Sequence, residues 1–159
     1  MKLRIETLSE FAAGDTTVRY LIDQSSGRTG LLLLPTVLAD KTVRRRTVLS
    51  GGPEYPGLPD CWKNLPAAGV DSLVQLKLAG HANPGGAAAG RTLRNAADTI
   101  NLKYESQRQE QLTGGGWKVT TTLTHPDGQV EHELVWDGST PAFESRTAFI
   151  NQSQTPVKL

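Results

Sequence analysis

The residues best placed to do chemistry lie in a long stretch rich in proline and glycine, residues 50–69. Asp60, Trp62 and Lys63 stand almost side by side there, so that a flat aromatic face and two opposite charges could meet one hydroxylated ligand. Tryptophan stacks on the apolar face of a sugar as readily as it fills a core. Trp62 could equally plug one end of a folded domain, and the sequence favours neither interpretation.

The sequence offers no recognisable set of catalytic or metal-ligating residues. Cys61 is the single cysteine, which excludes an internal disulfide and leaves no zinc-type spacing with the scattered histidines. The glycine-rich pieces lack the lysine and hydroxyl residue that a phosphate-binding loop requires. We therefore predict no catalytic residue, no metal and no cofactor in this chain.

The three histidines are interpreted as structural or solvent-facing. His132 alternates in register with Val130 and Trp136, which predicts a half-buried position in a core face. His125 precedes a turn and His81 lies in a segment of small residues, so both are predicted to be polar loop residues.

Charge and hydropathy exclude two classes of partner. Seventeen basic residues balance sixteen acidic ones, so the basic face of a nucleic-acid-binding protein is missing apart from three arginines at residues 44–46. The longest apolar run, residues 31–34, is far too short to span a bilayer, and Lys2, Arg4 and Glu6 interrupt any signal-peptide pattern. We expect a cytoplasmic protein that binds neither nucleic acid nor membrane.

Alternation of apolar and polar residues predicts the elements that position these side chains. It is clearest on both sides of Pro126-Asp127-Gly128, where proline presets φ for a turn and glycine is expected to take a positive φ. This pattern predicts a hairpin that carries Trp117 and Trp136 on a core face. Further strands are predicted near both ends and in the middle of the chain, at residues 2–8, 17–23, 30–38, 72–78, 100–106, 142–149 and 155–159.

No segment repeats its apolar residues at helical spacing, so the predicted fold class is all-β, an antiparallel β-sandwich with few or no helices. The run at residues 30–38 is apolar on both sides and is predicted to be a central strand, with Pro35 at a bend or edge. The whole chain, residues 1–159, is predicted to form a single domain. Because its last residues read as an unfinished strand, we expect the N-terminal fragment of a larger protein.

Four blocks of sequence resemble one known family. The blocks DSLVQLKLAGH, AAGRTLRNAADTINLKYESQ, WKVTTTLTHPDGQVEHELVW and AFESRTAFINQSQTPVKL follow one another within residues 71–159. In order and rough spacing they resemble the N-terminal domain of bacterial α-galactosidases of glycoside hydrolase family thirty-six. The resemblance implies a non-catalytic β-sandwich that precedes a (β/α)₈ barrel, which carries the nucleophile and the acid/base of a retaining glycosidase. That barrel is not in this sequence.

The resemblance also implies a role for residues 50–69. Many family members carry a loop with Glu-Tyr-Pro followed by Asp, an aromatic residue and Arg, which reaches an active site in the oligomer. Tyr55, Asp60, Trp62 and Lys63 occupy similar places here, with lysine instead of the bidentate arginine. The implied partners are the protein's own catalytic barrel, other copies in a homo-oligomer, and an α-galactoside near this loop. Packing of the loop against its own barrel is the competing interpretation.

Two other functions compete with a glycosidase domain. A free-standing carbohydrate-binding sandwich would use the same Trp62 to bind sugar. A structural or adhesive sandwich domain would bind no ligand at all.

Overall fold

The structure is a computed structural model that describes residues 5–37, 39, 72–81, 93 and 96–158. Seven antiparallel strands form two sheets in this part of the chain. One sheet has three strands in the order β1-β2-β3 and the other has four in the order β4-β5-β6-β7. The strands are β1 (Ile5–Ala13), β2 (Thr16–Asp23), β3 (Arg28–Pro35), β4 (Lys103–Gln111), β5 (Trp117–His125), β6 (Gly128–Trp136) and β7 (Glu144–Asn151). The predicted all-β sandwich is confirmed.

Aromatic residues join the two sheets. The main core cluster combines Val18 and Tyr20 of β2 with Trp117 and Val119 of β5, all at most 4% exposed. Phe11 of β1 lies 5.4 Å from the Trp117 ring. The indole N–H of Trp117 donates to the Ala12 carbonyl of the opposite sheet at 2.7 Å, so the polar atom of this buried ring is satisfied. Trp117 is therefore a core residue, as predicted.

The predicted hairpin is the β5–β6 pair. His125 is paired with Gly128, which leaves Pro126 and Asp127 as the two turn residues. The predicted reason for the glycine is wrong, since Gly128 is not among the described glycines with positive φ. A Cβ at Gly128 would stand 2.2 Å from the Ile150 carbonyl oxygen of β7. Glycine is needed because the neighbouring backbone comes too close for any side chain.

In the middle of the chain one predicted strand is wrong and another begins later than predicted. Residues 72–78 alternate like a strand but pair with no strand of the described chain. Of the strand predicted at residues 100–106, residues 103–106 lie in β4, whereas residues 100 and 101 end a five-residue helix, α1 (Ala97–Asn101). Side chains of α1 bond to the backbone of residues 72–78 in place of a neighbouring strand.

Two smaller predictions also need correction. The apolar run at residues 30–38 lies largely in β3, which is an edge strand and not a central one, and Leu33 is 50% exposed there. Residues 155–158 are not a strand, although Val157 packs against an apolar cluster of Leu76, Leu78, Leu102, Leu123 and Val130. A run of leucines therefore did not distinguish a central strand from an edge strand.

Candidate functional site

The residues that the sequence singles out for sugar contact lie outside the described residues. Tyr55, Asp60, Trp62 and Lys63 all belong to residues 50–69, and so does Cys61. Their proposed contact with an α-galactoside stays a prediction. The described residues offer two other places of interest, a surface at the margin of the larger sheet and a cluster around one buried carboxylate.

The first place is β7, the last strand of the four-stranded sheet. Seven of its eight residues are exposed, and only Phe149 is partly covered. Ser145 and Thr147 are paired with Leu134 and His132, which are buried, so they belong to the core-facing side of the sheet and yet remain exposed. The three-stranded sheet therefore leaves the core-facing side of β7 exposed. We call its exposed residues the β7 surface.

The β7 surface has little net charge. Arg146 donates to the Glu144 carboxylate through Nε and Nη2 at 2.8 and 2.6 Å. Ala148 is exposed, and Ile150 is 40% exposed. Exposed apolar side chains beside a neutralised ion pair suit contact with another polypeptide better than contact with a charged ligand.

One hydroxyl on this surface meets an imidazole. Ser145 Oγ lies 3.0 Å from Nε2 of His132, which is 5% exposed. Burial lowers the pKa of His132, so the ring is neutral at neutral pH. A serine nucleophile also needs a group that orients the far nitrogen of its base, and Nδ1 of His132 has no such partner among the described residues. The pair therefore fits the predicted structural histidine.

The second place is the Asp98 cluster, which consists of Asp98, His81 and His125. Asp98 belongs to α1 and is 1% exposed. Its Oδ2 accepts the Leu78 N–H at 2.7 Å, and its Oδ1 lies 2.7 Å from Nδ1 of His81 and 3.4 Å from Nε2 of His125. Burial alone would raise the pKa of the Asp98 carboxyl, but the hydrogen bonds from Leu78 and His81 and the nearby histidines hold it below its usual value.

The two ring nitrogens of His125 have different surroundings. Its Nδ1 accepts the Asp127 N–H at 3.2 Å, and its Nε2 lies 3.4 Å from the Asp98 carboxylate without forming a hydrogen bond in the described residues. The His125 side chain is 1% exposed, which corrects its prediction as a polar loop residue. The His81 side chain is 40% exposed and is the solvent-facing member of the cluster.

Side chains of α1 form hydrogen bonds with the backbone of residues 72–81, which we call the crossing segment. Thr99 of α1 accepts the Leu76 N–H at 2.9 Å and donates to the Leu76 carbonyl at 3.0 Å. The Asp98 carboxylate accepts the Leu78 N–H. Two side chains of α1 thus satisfy backbone groups that a strand would otherwise satisfy. The local sequence gave no signal for this, because Asp98 and its histidines are distant along the chain.

Several kinds of site are not found in the part of the chain that the structure describes. No group of three or more His, Cys, Asp or Glu side chains is arranged to hold a metal ion there. Within the same residues, no helix is long and apolar enough to cross a membrane.

The second tryptophan of the hairpin is less buried than the first. Trp136 is partly exposed, lies 6.2 Å from the Trp117 ring and donates its indole N–H to the Thr140 carbonyl at 2.7 Å. Trp136 therefore packs at the margin of the core, as a partly buried side chain.

Comparison with known proteins gave no relative. No protein-family model, no curated protein and no solved structure matches this chain.

Proposed function

We propose that this chain is a non-catalytic N-terminal domain of an α-galactosidase-like glycoside hydrolase. In this proposal it supports the catalytic barrel, contributes contacts between subunits and shapes the mouth of the active site with residues 50–69. The parent protein is a retaining α-galactosidase of the cytoplasm. The hydrolysis belongs to the barrel and not to this chain.

One observation supports this proposal most. The last two blocks of family-like sequence fall on consecutive strands of a single sheet, with β5, β6 and β7 adjacent in space and in order. The strand that ends this sheet, β7, is exposed on both faces. A sandwich whose larger sheet has an uncovered margin suits a domain that packs on another polypeptide.

The Asp98 cluster fits the same role. A buried carboxylate that accepts a backbone N–H and lies against two imidazoles holds the crossing segment in place. The crossing segment in turn contributes Leu76 and Leu78 to the apolar cluster that contacts Phe149 of β7. Such a cluster stabilises a scaffold, and no described group near it supplies a nucleophile.

The experiment is a kinetic comparison in the full-length protein, with p-nitrophenyl α-D-galactopyranoside as substrate. We expect Asp60→Ala and Trp62→Ala to raise KM about tenfold, which corresponds to the loss of about 1.4 kcal/mol of substrate binding. Asn64→Ala, in the same loop, is the matched control and should leave KM unchanged. The chain of residues 1–159 alone should not hydrolyse the substrate.

Unchanged kinetics in both loop variants would remove the loop from the active site. Hydrolysis by residues 1–159 alone would contradict the assignment of a non-catalytic domain.

A further inference from the structure

The free edges of the two sheets are not equally protected against pairing with another strand. β1 and β4 each carry a register shift, between Thr7 and Ser9 and between Tyr104 and Ser106. β3 ends in Pro35, which has no N–H to donate. β7 pairs with β6 without any shift and contains no proline. Bulges and prolines are the usual devices that block an edge, and β7 has neither.

The backbone groups of β7 that have no partner among the described residues can be assigned. The Gln152 N–H donates to the Asp127 carbonyl at 3.1 Å, toward the β6 side of the strand. Backbone groups in an antiparallel pair alternate between the two sides of a strand. Even-numbered residues of β7 therefore bond to β6, and the N–H and C=O groups of Ser145, Thr147, Phe149 and Asn151 point away from the sheet.

We propose that β7 of one copy pairs antiparallel with β7 of a second copy, which joins two four-stranded sheets into one sheet of eight strands. The twofold axis stands perpendicular to the sheet, because only that axis keeps the core-facing sides of both copies on one side. Residues on the same face then lie opposite each other. The inference uses only the geometry of this chain and does not depend on the glycosidase assignment.

Side-chain chemistry selects the register with Ala148 on the twofold axis. Arg146 then lies opposite the partner's Ile150, and Thr147 lies opposite the partner's Phe149. On one face Ala148 meets the partner's Ala148, and Ile150 of each copy lies diagonal to the partner's Ala148. The outward backbone groups of both strands also lie opposite each other, which allows about eight new backbone hydrogen bonds.

The neighbouring register is less favourable. With Thr147 on the axis, Arg146 would lie diagonal to the partner's Arg146 at about 7–8 Å, and like charges so placed repel. With Ala148 on the axis the two arginines are about 13 Å apart along the strand direction. Each Arg146 also keeps its own Glu144 as a partner. The register with Ala148 on the axis is therefore favoured over the register with Thr147 on the axis.

The test is sedimentation equilibrium on the whole chain over a range of concentrations, with two variants in β7. Thr147→Pro removes an outward N–H and no bond to β6, and Ala148→Lys places two ammonium groups on the axis. Leu33→Lys, on the exposed edge strand β3 of the other sheet, is the matched control. Wild type and Leu33→Lys should approach twice 17.2 kDa as concentration rises, and both β7 variants should remain at 17.2 kDa.

Amide hydrogen exchange gives a second readout. The outward amides of Ser145, Thr147 and Phe149 should gain protection with concentration, while β5 amides stay protected in every variant that folds. A wild-type chain that stays monomeric at all concentrations would overturn the proposal. A strand of a different polypeptide would then be the remaining candidate to pair with β7. A dimer that survives both β7 substitutions would overturn it as well.

Discussion

At the scale of single residues, Asp98 is a buried carboxylate with several polar contacts. Its carboxylate is 1% exposed, accepts the Leu78 N–H and lies against two imidazoles. A buried charge of this kind is stable only while its partners remain. The crossing segment therefore depends on this carboxylate as well as on its buried leucines.

Asp98→Asn tests this directly. The amide can still accept the Leu78 N–H but cannot replace the carboxylate oxygen that lies beside the two imidazoles, so we expect the free energy of unfolding to fall by about 2–3 kcal/mol. Glu131→Gln, a partly exposed carboxylate on β6, is the control and should change stability by less than about 0.5 kcal/mol. Urea unfolding at neutral pH measures both. If Asp98→Asn had the same free energy of unfolding as wild type, the Asp98 carboxylate would not be needed for stability.

His132 predicts a pH dependence of stability. Burial lowers its pKa in the folded state, so the unfolded chain binds the proton more readily. The stability from the neutral ring is fully present above the unfolded pKa of about 6.5 and is lost as pH falls through the folded pKa. The stability of wild type relative to His132→Gln should therefore decrease below about pH 6.5. Urea unfolding of both proteins between neutral and acidic pH measures this, and a constant difference would contradict it.

At the scale of elements, the way β7 joins β6 depends on one glycine. A Cβ at Gly128 would stand 2.2 Å from the Ile150 carbonyl oxygen and 3.2 Å from the Gln152 nitrogen. Backbone cannot move aside as a flexible side chain can. The glycine therefore sets the distance between the β5–β6 turn and the end of β7.

Gly128→Ala should lower the free energy of unfolding by about 3 kcal/mol, because the strands must separate to admit the methyl group. Gly14→Ala is the matched control. Gly14 has φ +58° and no atom within 4 Å of an added Cβ, so only about 1–2 kcal/mol of backbone strain is expected there. Thermal or urea unfolding of both variants distinguishes the cost of a steric clash at Gly128 from the cost of a strained backbone at Gly14. A smaller loss at Gly128 than at Gly14 would contradict the explanation.

The elements that the sequence predicted well are those with local causes. The β5–β6 hairpin follows from alternation and from Pro126 in a two-residue turn, both of which act within neighbouring residues. The crossing segment was predicted as a strand because its alternation is the same. Its real partners are the side chains of Asp98 and Thr99, and no local pattern shows that a helix will satisfy a backbone.

The same limit explains the candidate site. Burial of His125 depends on Asp98 and on Phe149, whose ring centroid lies 6.1 Å from that of His125. Both come from other elements, so the sequence around His125 could show only the turn. The exposure of β7 likewise depends on how many strands stand opposite it, which is a property of the whole sandwich.

At the scale of the whole molecule, the two sheets are unequal, and this inequality is the basis of the proposals. Three strands cover the core face of β5 and β6 around Trp117, while β7 remains exposed. The near-neutral formal charge of +1 offers no long-range attraction to polyanions. The molecule thus presents an uncovered margin at β7.

The most direct test is to determine the coding sequence of the source gene beyond the codon for Leu159. The account predicts an open frame of several hundred further residues, with alternating strands and helices and with aspartates at strand ends of a barrel. A stop codon directly after Leu159 would contradict the glycosidase domain and would leave an independent β-sandwich.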